Sequence, residues 1–461
     1  MKNIVLATAV AVALSLAGEA DAQSRGAASR SDLEAVQAQL QALTERLNRL
    51  EAANTELQTE NAELKALVDR RDAETDYLKS QTKELREEAA VASNEISKVK
   101  GADWATKIKW RGDLRYRHEE VHRERTATSD EGVTTVEDAE DRYRHRIRAR
   151  FGLDAQVSDN VKTTVQLSTA ENRDPRSSNQ SLDDNATRKE VDIDLAYADW
   201  TFAQGANLVF GKQPYPFYRT GNSLFFDGDL NPEGIAAKFE RGILFGSGYG
   251  WWWNEQHNDD PSAEHTDTLI FGAQLGLRMP IGDASNLVAF GHYYNCGGCR
   301  GNSPLFNNSA NGNTTYPLVA PNITNILVFD YEIGELGAEF STQVGSLPLQ
   351  LWGQYAQNMA SGVEEDTAYN AGFRLGRASN PRTWEVGAMY QSIDKDALFG
   401  QLIDSDFGNG VTDTEGWALR GAYAPVRNIA VNLTYFINTL NKDVGTELDY
   451  DRLQLDFNWK Y

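Results

Sequence analysis

The sequence predicts an all-β transmembrane barrel of about 16 antiparallel strands, preceded by a long α-helical coiled coil. Three observations carry this expectation. Past residue 100 the chain alternates apolar and polar residues with period two, and its connections are alternately short and long. Before that point, residues 33–100 hold an unbroken heptad seam and contain neither Gly nor Pro.

The first residues read as an export signal. Lys2 supplies a positive start, an apolar run extends from Ile4 to Ala17, and Ala20-Asp21-Ala22 offers small residues at a cleavage point. The expected organisation is a signal peptide over 1–22, a short linker over 23–32, a coiled coil over 33–100 and a barrel over 101–461. No stretch reaches the eighteen apolar residues of a spanning helix. A mean hydropathy of −0.53 nonetheless suits a barrel with a wet lumen and polar loops. The net charge of −22 excludes nucleic acid as a partner.

Cys296 and Cys299 are the two cysteines, separated by two glycines; a small loop disulfide is expected in an oxidising compartment. Haem attachment would need a histidine where Arg300 stands, and zinc would need more ligands than His292 adds. No cofactor or metal is therefore expected. No enzyme is expected either: the six histidines, His118, His122, His145, His257, His265 and His292, lie in no recognisable nucleophile motif.

In the rod, one set of seam positions runs Leu33, Leu40, Leu47, Asn54, Asn61, Val68, Thr75, Thr82, Ala89, Ile96. The other runs Val36, Leu43, Leu50, Leu57, Leu64, Arg71, Leu78, Leu85, Ala92, Val99. A seam of this length would lie in water on a lone helix, so partner helices are required. Asn54 and Asn61 lean towards two strands by zipper rules, whereas pore-forming barrels more often come in threes. A homotrimer through the coil is the expectation.

In the barrel, single faces collect Val191, Ile193, Leu195 and Tyr197; Leu269, Phe271, Ala273, Leu275 and Leu277; Trp384, Val386, Ala388 and Tyr390; and Ile429, Val431, Leu433, Tyr435 and Ile437. Polar opposite faces and aromatic edges favour a lipid-facing band over a soluble core. Strand starts fall near Lys107, Arg142, Val161, Val191, Asn207, Gly234, Ile243, Thr268, Asn286, Asn325, Leu336, Leu349, Thr367, Thr383, Glu415, Ile429 and Leu448. Merging Asn325 with Leu336 gives the even number that closure requires. Eight long connections result: 119–140, 171–189, 213–231, 254–265, 296–322, 359–366, 394–413 and 439–447. Leu453, Leu455, Phe457, Trp459 and Tyr461 share one face, resembling the terminal strand of outer-membrane barrels.

Arg142, Arg144, Arg146, Arg148 and Arg150 recur at spacing two and must point one way on a strand. Each would cost about 2–4 kcal/mol facing lipid at midplane, so they face the lumen. Lys107, Lys109, Arg111, Arg115 and Arg117 do the same on the preceding strand. This basic wall is expected to line the pore and favour anions, partly neutralised by Asp113, Asp192 and Asp194. The connection after Phe210-Gly-Lys212 is expected to fold inward as a constriction loop, placing Asp227, Asp229 and Glu233 opposite the arginines. An ordinary surface loop is the alternative.

Trp110-Arg-Gly-Asp-Leu-Arg-Tyr-Arg117, Arg142 to Gly152, Phe210-Gly-Lys212 and Asp227-Gly-Asp-Leu-Asn-Pro-Glu-Gly234 resemble a family of "putative porins" of Gram-negative bacteria. The likeness spans about residues 105–461. It implies passive diffusion of small hydrophilic solutes through an outer-membrane barrel touching lipid and lipopolysaccharide. A coil before the barrel is similar in plan to sucrose porins and phosphate-selective porins, which implies trimers and a ligand track; the dense lysine ladder of the latter is missing. The coil is expected in the periplasm, with peptidoglycan as a further partner. A structural anchor that tethers the envelope through its coil is the alternative function.

Overall fold

A segment with one apolar and one polar face needs hydrocarbon on one side and polar filling on the other. A cylinder closed on itself meets both demands and leaves no strand edge. The computed structural model describes residues 30–98, 106–128, 134–170, 174–183, 185–221, 223–255, 267–317, 325–443 and 446–461. The expected signal peptide, most of the linker and the last two residues of the expected coil lie outside them. The chain divides into two units between Lys100 and Gly101.

The first unit is one helix, α1, Arg30–Lys98. At about 1.5 Å per residue it is roughly 100 Å long. Its seam leucines, Leu40 through Leu85, are exposed along the chain. Among the described residues its side chains bond locally, as Asn61 does to the Leu57 carbonyl.

The second unit closes sixteen antiparallel strands into a barrel among the described residues. They are β1 Ile108–Thr128, β2 Thr134–Ser158, β3 Val161–Thr169, β4 Val191–Ala203, β5 Ala206–Lys212, β6 Glu233–Arg241, β7 Leu244–Asn254 and β8 Thr268–Ile281. There follow β9 Ser285–Gly297, β10 Tyr331–Val344, β11 Leu347–Asn358, β12 Thr367–Gly376, β13 Thr383–Ile393, β14 Thr414–Val426, β15 Ile429–Leu440 and β16 Leu448–Lys460. Each pairs with the next, and β16 returns to β1 from Asp113↔Lys460 to Arg125↔Leu448.

Short turns gather at one end. Several need a left-handed backbone: Gly345 has φ +62° and Asn428 φ +64°, values that Gly and Asn adopt at least cost. The other end carries the long connections. The expected connection over 119–140 is mostly strand, because the β1–β2 ladder continues out to Thr128↔Thr134. Nor does Asn325 open a barrel strand. Asn325–Leu327 pairs with Thr315–Pro317 as a small ladder inside a long loop, and the barrel strand starts at Tyr331.

The outer face follows the predicted alternation, with Leu269, Phe271, Leu275, Trp384, Val386, Leu433 and Ile437 exposed. β4 departs from it. A bulge against β3 pairs Gln166 with Leu195 and Leu167 with Ile193, skipping Asp194. Val191 and Ile193 therefore stand exposed while Leu195 is buried, so the four residues do not share a face.

The core lies inside the barrel. Phe217, Phe225 and Phe226 from the connection 213–232, with Leu398, Phe399, Leu402 and Ile403 from 394–413, pack against inward Trp251, Tyr294 and Tyr331.

Leu275 sits at mid-strand, opposite Gly246 and Gly291, and is 59% exposed. Leu275→Arg is expected to lower stability by about 2–4 kcal/mol in lipid vesicles, measured by urea unfolding. An equally stable variant would mean that this face does not meet hydrocarbon.

Candidate functional site

On β1 and β2 the aromatic and aliphatic residues Trp110, Leu114, Tyr143 and Phe151 are exposed outside, while Arg117, Arg146 and Arg148 are buried inside. The ladder register places Arg115 opposite Arg148 and Arg117 opposite Arg146, with Asp113 opposite Arg150 and Glu119 opposite Arg144. Two like-charge pairs at this spacing repel, so acids must interleave with them.

Those acids come from three places. Within the wall, Asp113 accepts from Arg148 and Arg150 (2.9 and 2.7 Å), and Glu119 pairs with Arg144. From β16, Asp456 accepts two bonds from Arg117 (2.7 and 2.9 Å). From the long connections, Asp229 lies 3.4 Å from Arg148, 3.7 Å from Arg150 and 4.0 Å from Arg115, and Asp406 takes Arg117 (3.0 Å) and Arg452 (2.9 Å). Arg115 also donates twice to Asn179 (2.6 and 3.1 Å), and Arg146 donates to Ser177 (3.2 Å) and the Asn179 carbonyl (3.0 Å). Arg111 lies 3.9 Å from Asp154, and Arg142 is exposed.

The remaining predicted acids lie elsewhere. Asp194, at the bulge, accepts from Gln166 and Asn231 rather than from an arginine (both 2.6 Å). Asp192 borders a small cavity beside it. Glu233 opens β6 on the exposed face it shares with Ile235, and its partner is Lys212 (3.1 Å). Cys296 and Cys299 are joined in a disulfide, with Cα atoms 5.6 Å apart.

The connection 213–232 lies inside the barrel because polar groups hold it at successive points. Tyr218 and the Gln274 side chain exchange two bonds (2.8 and 2.9 Å). The Gly221 N–H donates to Glu339 (2.7 Å), and Asn370 donates to Ser223 (3.3 Å). Gly221 has φ +42° and lies flat on the Trp352 ring, where a Cβ would come within 2.4 Å. Asn370 ends a hydrogen-bonded row running back through Gln354, Glu335 and His292 to Tyr249.

A second inward connection, 394–413, meets the first. The Asp227 N–H donates to the Leu402 carbonyl (2.7 Å), and the Ser405 N–H donates to the Asp227 carboxyl (2.8 Å). Burial, with Asp404 and Asp229 close by, pushes the Asp227 carboxyl well above the usual range. Asp227 thus latches the two loops together, and Asp229 faces the arginines of the wall.

Burial alone would raise Asp229 as well, but Arg148 and Arg115 outweigh it and bring the carboxyl to about 2. An unfolded Asp titrates near 3.9. The folded value is the lower one, so the contribution is complete above the unfolded value and lost as pH falls through the folded one. The stability difference between wild type and Asp229→Asn is expected to be full at neutral pH, to shrink below about pH 4 and to vanish towards pH 2. An undiminished difference at that acidity would contradict the assignment.

Sequence reasoning missed Glu119, Asn179, Asp406, Arg452 and Asp456. The inward alternation Arg452, Gln454, Asp456 is readable in the sequence, but its place beside β1 exists only once the barrel closes. Asp406 lies in an irregular loop with no periodic signal.

A family model described as "Putative porin" matches residues 30–324 and 331–461. No curated protein matches the sequence. Among solved structures, the chain is similar to a high-pH structure of OprB from Pseudomonas putida, with 10% identity, 77% of this chain and 95% of that chain covered, and a TM-score of 0.48. It is also similar to Salmonella typhi OmpF in complex with daunomycin, with 12% identity, 77% and 97% covered, and a TM-score of 0.44. A triple mutant of the Rhodopseudomonas blastica porin gives 11% identity, 77% and 100% covered, and a TM-score of 0.40.

Proposed function

The chain belongs to the "Putative porin" family, and from that premise we propose that it passes small hydrophilic solutes across the outer membrane with a preference for anions. The observation that carries the preference is the arginine wall of β1 and β2, facing the interior of a barrel whose outer face is apolar. Acids match the arginines closely around Asp113, Asp229 and Asp456. Arg144 and Arg146 carry the wall on towards the long-loop end, and cationic side chains lining a channel concentrate anions.

The topology supports an orientation too. β1 begins at the short-turn end, where Ile108 pairs with Ala155 near the β2–β3 turn. In outer-membrane barrels the short-turn end is periplasmic. The coil then stands in the periplasm, within reach of peptidoglycan. The heptad seam supports self-association, and the homotrimer is the stoichiometry we adopt. Lipid and lipopolysaccharide would contact the outer face.

The test is the reversal potential of single channels in a salt gradient. Wild type is expected to favour chloride, and the combined Arg144→Ser, Arg146→Ser, Arg148→Ser variant is expected to shift towards cations. Cations carrying most of the wild-type current would overturn the preference. A protein that inserts into bilayers but gives no current steps would favour the anchor reading instead.

A further inference from the structure

The lumen beside β5 to β8 differs in character from the arginine wall. A cavity of about 400 Å³ lies there, between the connection 213–232 and the short-turn end of the strands. The charged groups that line it are matched. Lys238 lies 3.5 Å from Asp199, which also accepts from Asn207 (2.6 Å), and Arg278 is paired with Glu240. A charged ligand would have to displace one of these partners, whereas a neutral one can bond to the pairs as they stand.

Ser247 is the exception in the lining. It is 6% exposed, and its Oγ has no hydrogen-bond partner among the described residues. Strand register sets it between Lys238 and Gln274, and Gln274 is committed to Tyr218. A buried hydroxyl without a partner is costly, and a ligand group able to donate or accept would relieve it.

The apolar part of the lining is aromatic, from Phe217, Tyr218 and Phe245. Phe245 stands opposite Gly276, where a Cβ would come within 2.2 Å of its ring, and the Arg278 guanidinium lies 4.8 Å from the ring centre. With glycine at that position the ring rests on the wall instead of standing out into the lumen. Small-molecule sites combine apolar walls with a few polar groups that fix orientation. Matched charges, one unpaired hydroxyl and neighbouring rings suit a molecule with hydroxyl groups at its edge and an apolar ring face.

We infer that this cavity binds an uncharged, polyhydroxylated ring of about monosaccharide size. Its role as a halt for permeating solute rests on the pore reading; the binding itself does not.

Glucose, glucuronate and glucosamine share one ring and differ in charge, so they separate the ligand class directly. Each is titrated against the purified full chain by saturation-transfer NMR, in a detergent without a sugar headgroup. Saturable binding of glucose is expected, tighter than that of either charged relative. Ser247→Ala removes only the hydroxyl and is expected to weaken glucose binding about three- to tenfold, the range for one hydrogen bond between neutral groups. Ser247→Thr keeps the hydroxyl and should weaken it clearly less. Because the alanine variant takes away an unmatched buried polar atom, its heat unfolding, followed in parallel, should show no loss of stability. No saturable glucose binding would overturn the site, as would equal binding by wild type and Ser247→Ala. Tighter binding of glucuronate or glucosamine would overturn the neutral class. Glucose binding by a protein that gives no current steps would keep the site and sink the pore, and current steps with no glucose binding would do the opposite.

Discussion

Asp406→Asn is expected to cost about 3–5 kcal/mol, the loss typical when one partner is removed from a buried ion pair. Asp406 takes two arginines at once, Arg117 at 3.0 Å and Arg452 at 2.9 Å, and both are 4% exposed. Burial would raise its carboxyl, but Arg117, Arg452 and Arg115 outweigh that and hold it well below the usual carboxylate range. Asparagine keeps the shape, removes the charge and turns an N–H₂ group towards guanidinium donors. Arg117 would keep both bonds to Asp456, whereas Arg452 would keep only backbone carbonyls from this loop. The larger part of the cost should therefore come from Arg452. A double-mutant cycle with Arg452→Gln reads this directly, and the pair should be clearly less destabilised than the sum of the single changes. Because the connection 394–413 is latched to 213–232 through Asp227 and Ser405, the single variant should also give noisier, larger currents. A loss below about 1 kcal/mol would mean that water already reaches and screens these charges.

How much of this was legible in the sequence depends on whether a feature is local. Two-residue alternation is local, and it located the strands, their outward faces and the inward arginines. Loop length is local as well, and the short and long ends followed from it. The failures are places where partners distant in the chain decide. The Asp194 bulge exists because β3 pairs past it, so Leu195 turns inward although the pattern placed it with Ile193. Asn325 looked like the start of a strand because its apolar neighbours pack within a loop ladder. Glu233 was assigned to the constriction with Asp229, but strand pairing begins at Glu233 and turns its side chain outward. Arg117 and Asp456 are 339 positions apart, and only closure of the barrel makes them neighbours. Charge type was readable; charge partners were not.

The helix offers the converse case, where the sequence pattern is complete and the surface it is proposed to pair with belongs to another copy of the chain. Leu50, Leu57 and Leu64 occupy successive heptads and are 63%, 56% and 56% exposed along α1. Burying a leucine contributes about 1.5–3 kcal/mol, so these three layers contribute roughly 5–9 kcal/mol per chain on association. Replacing all three with aspartate removes that and adds repelling charges along the seam. On the proposed homotrimer, the expected result is dissociation of the detergent-solubilised protein to monomer, read as mass by sedimentation, with a fall in helical signal as unpaired α1 frays. The barrel, whose strand ladder closes within one chain, should keep its strand signal and its heat resistance. An unchanged mass would place the association in the barrel walls and leave the coil as a spacer. Asn54→Ile with Asn61→Ile probes the same seam in the opposite sense. Those two positions trade stability for register, so the variant should resist heat better while its mass distribution broadens.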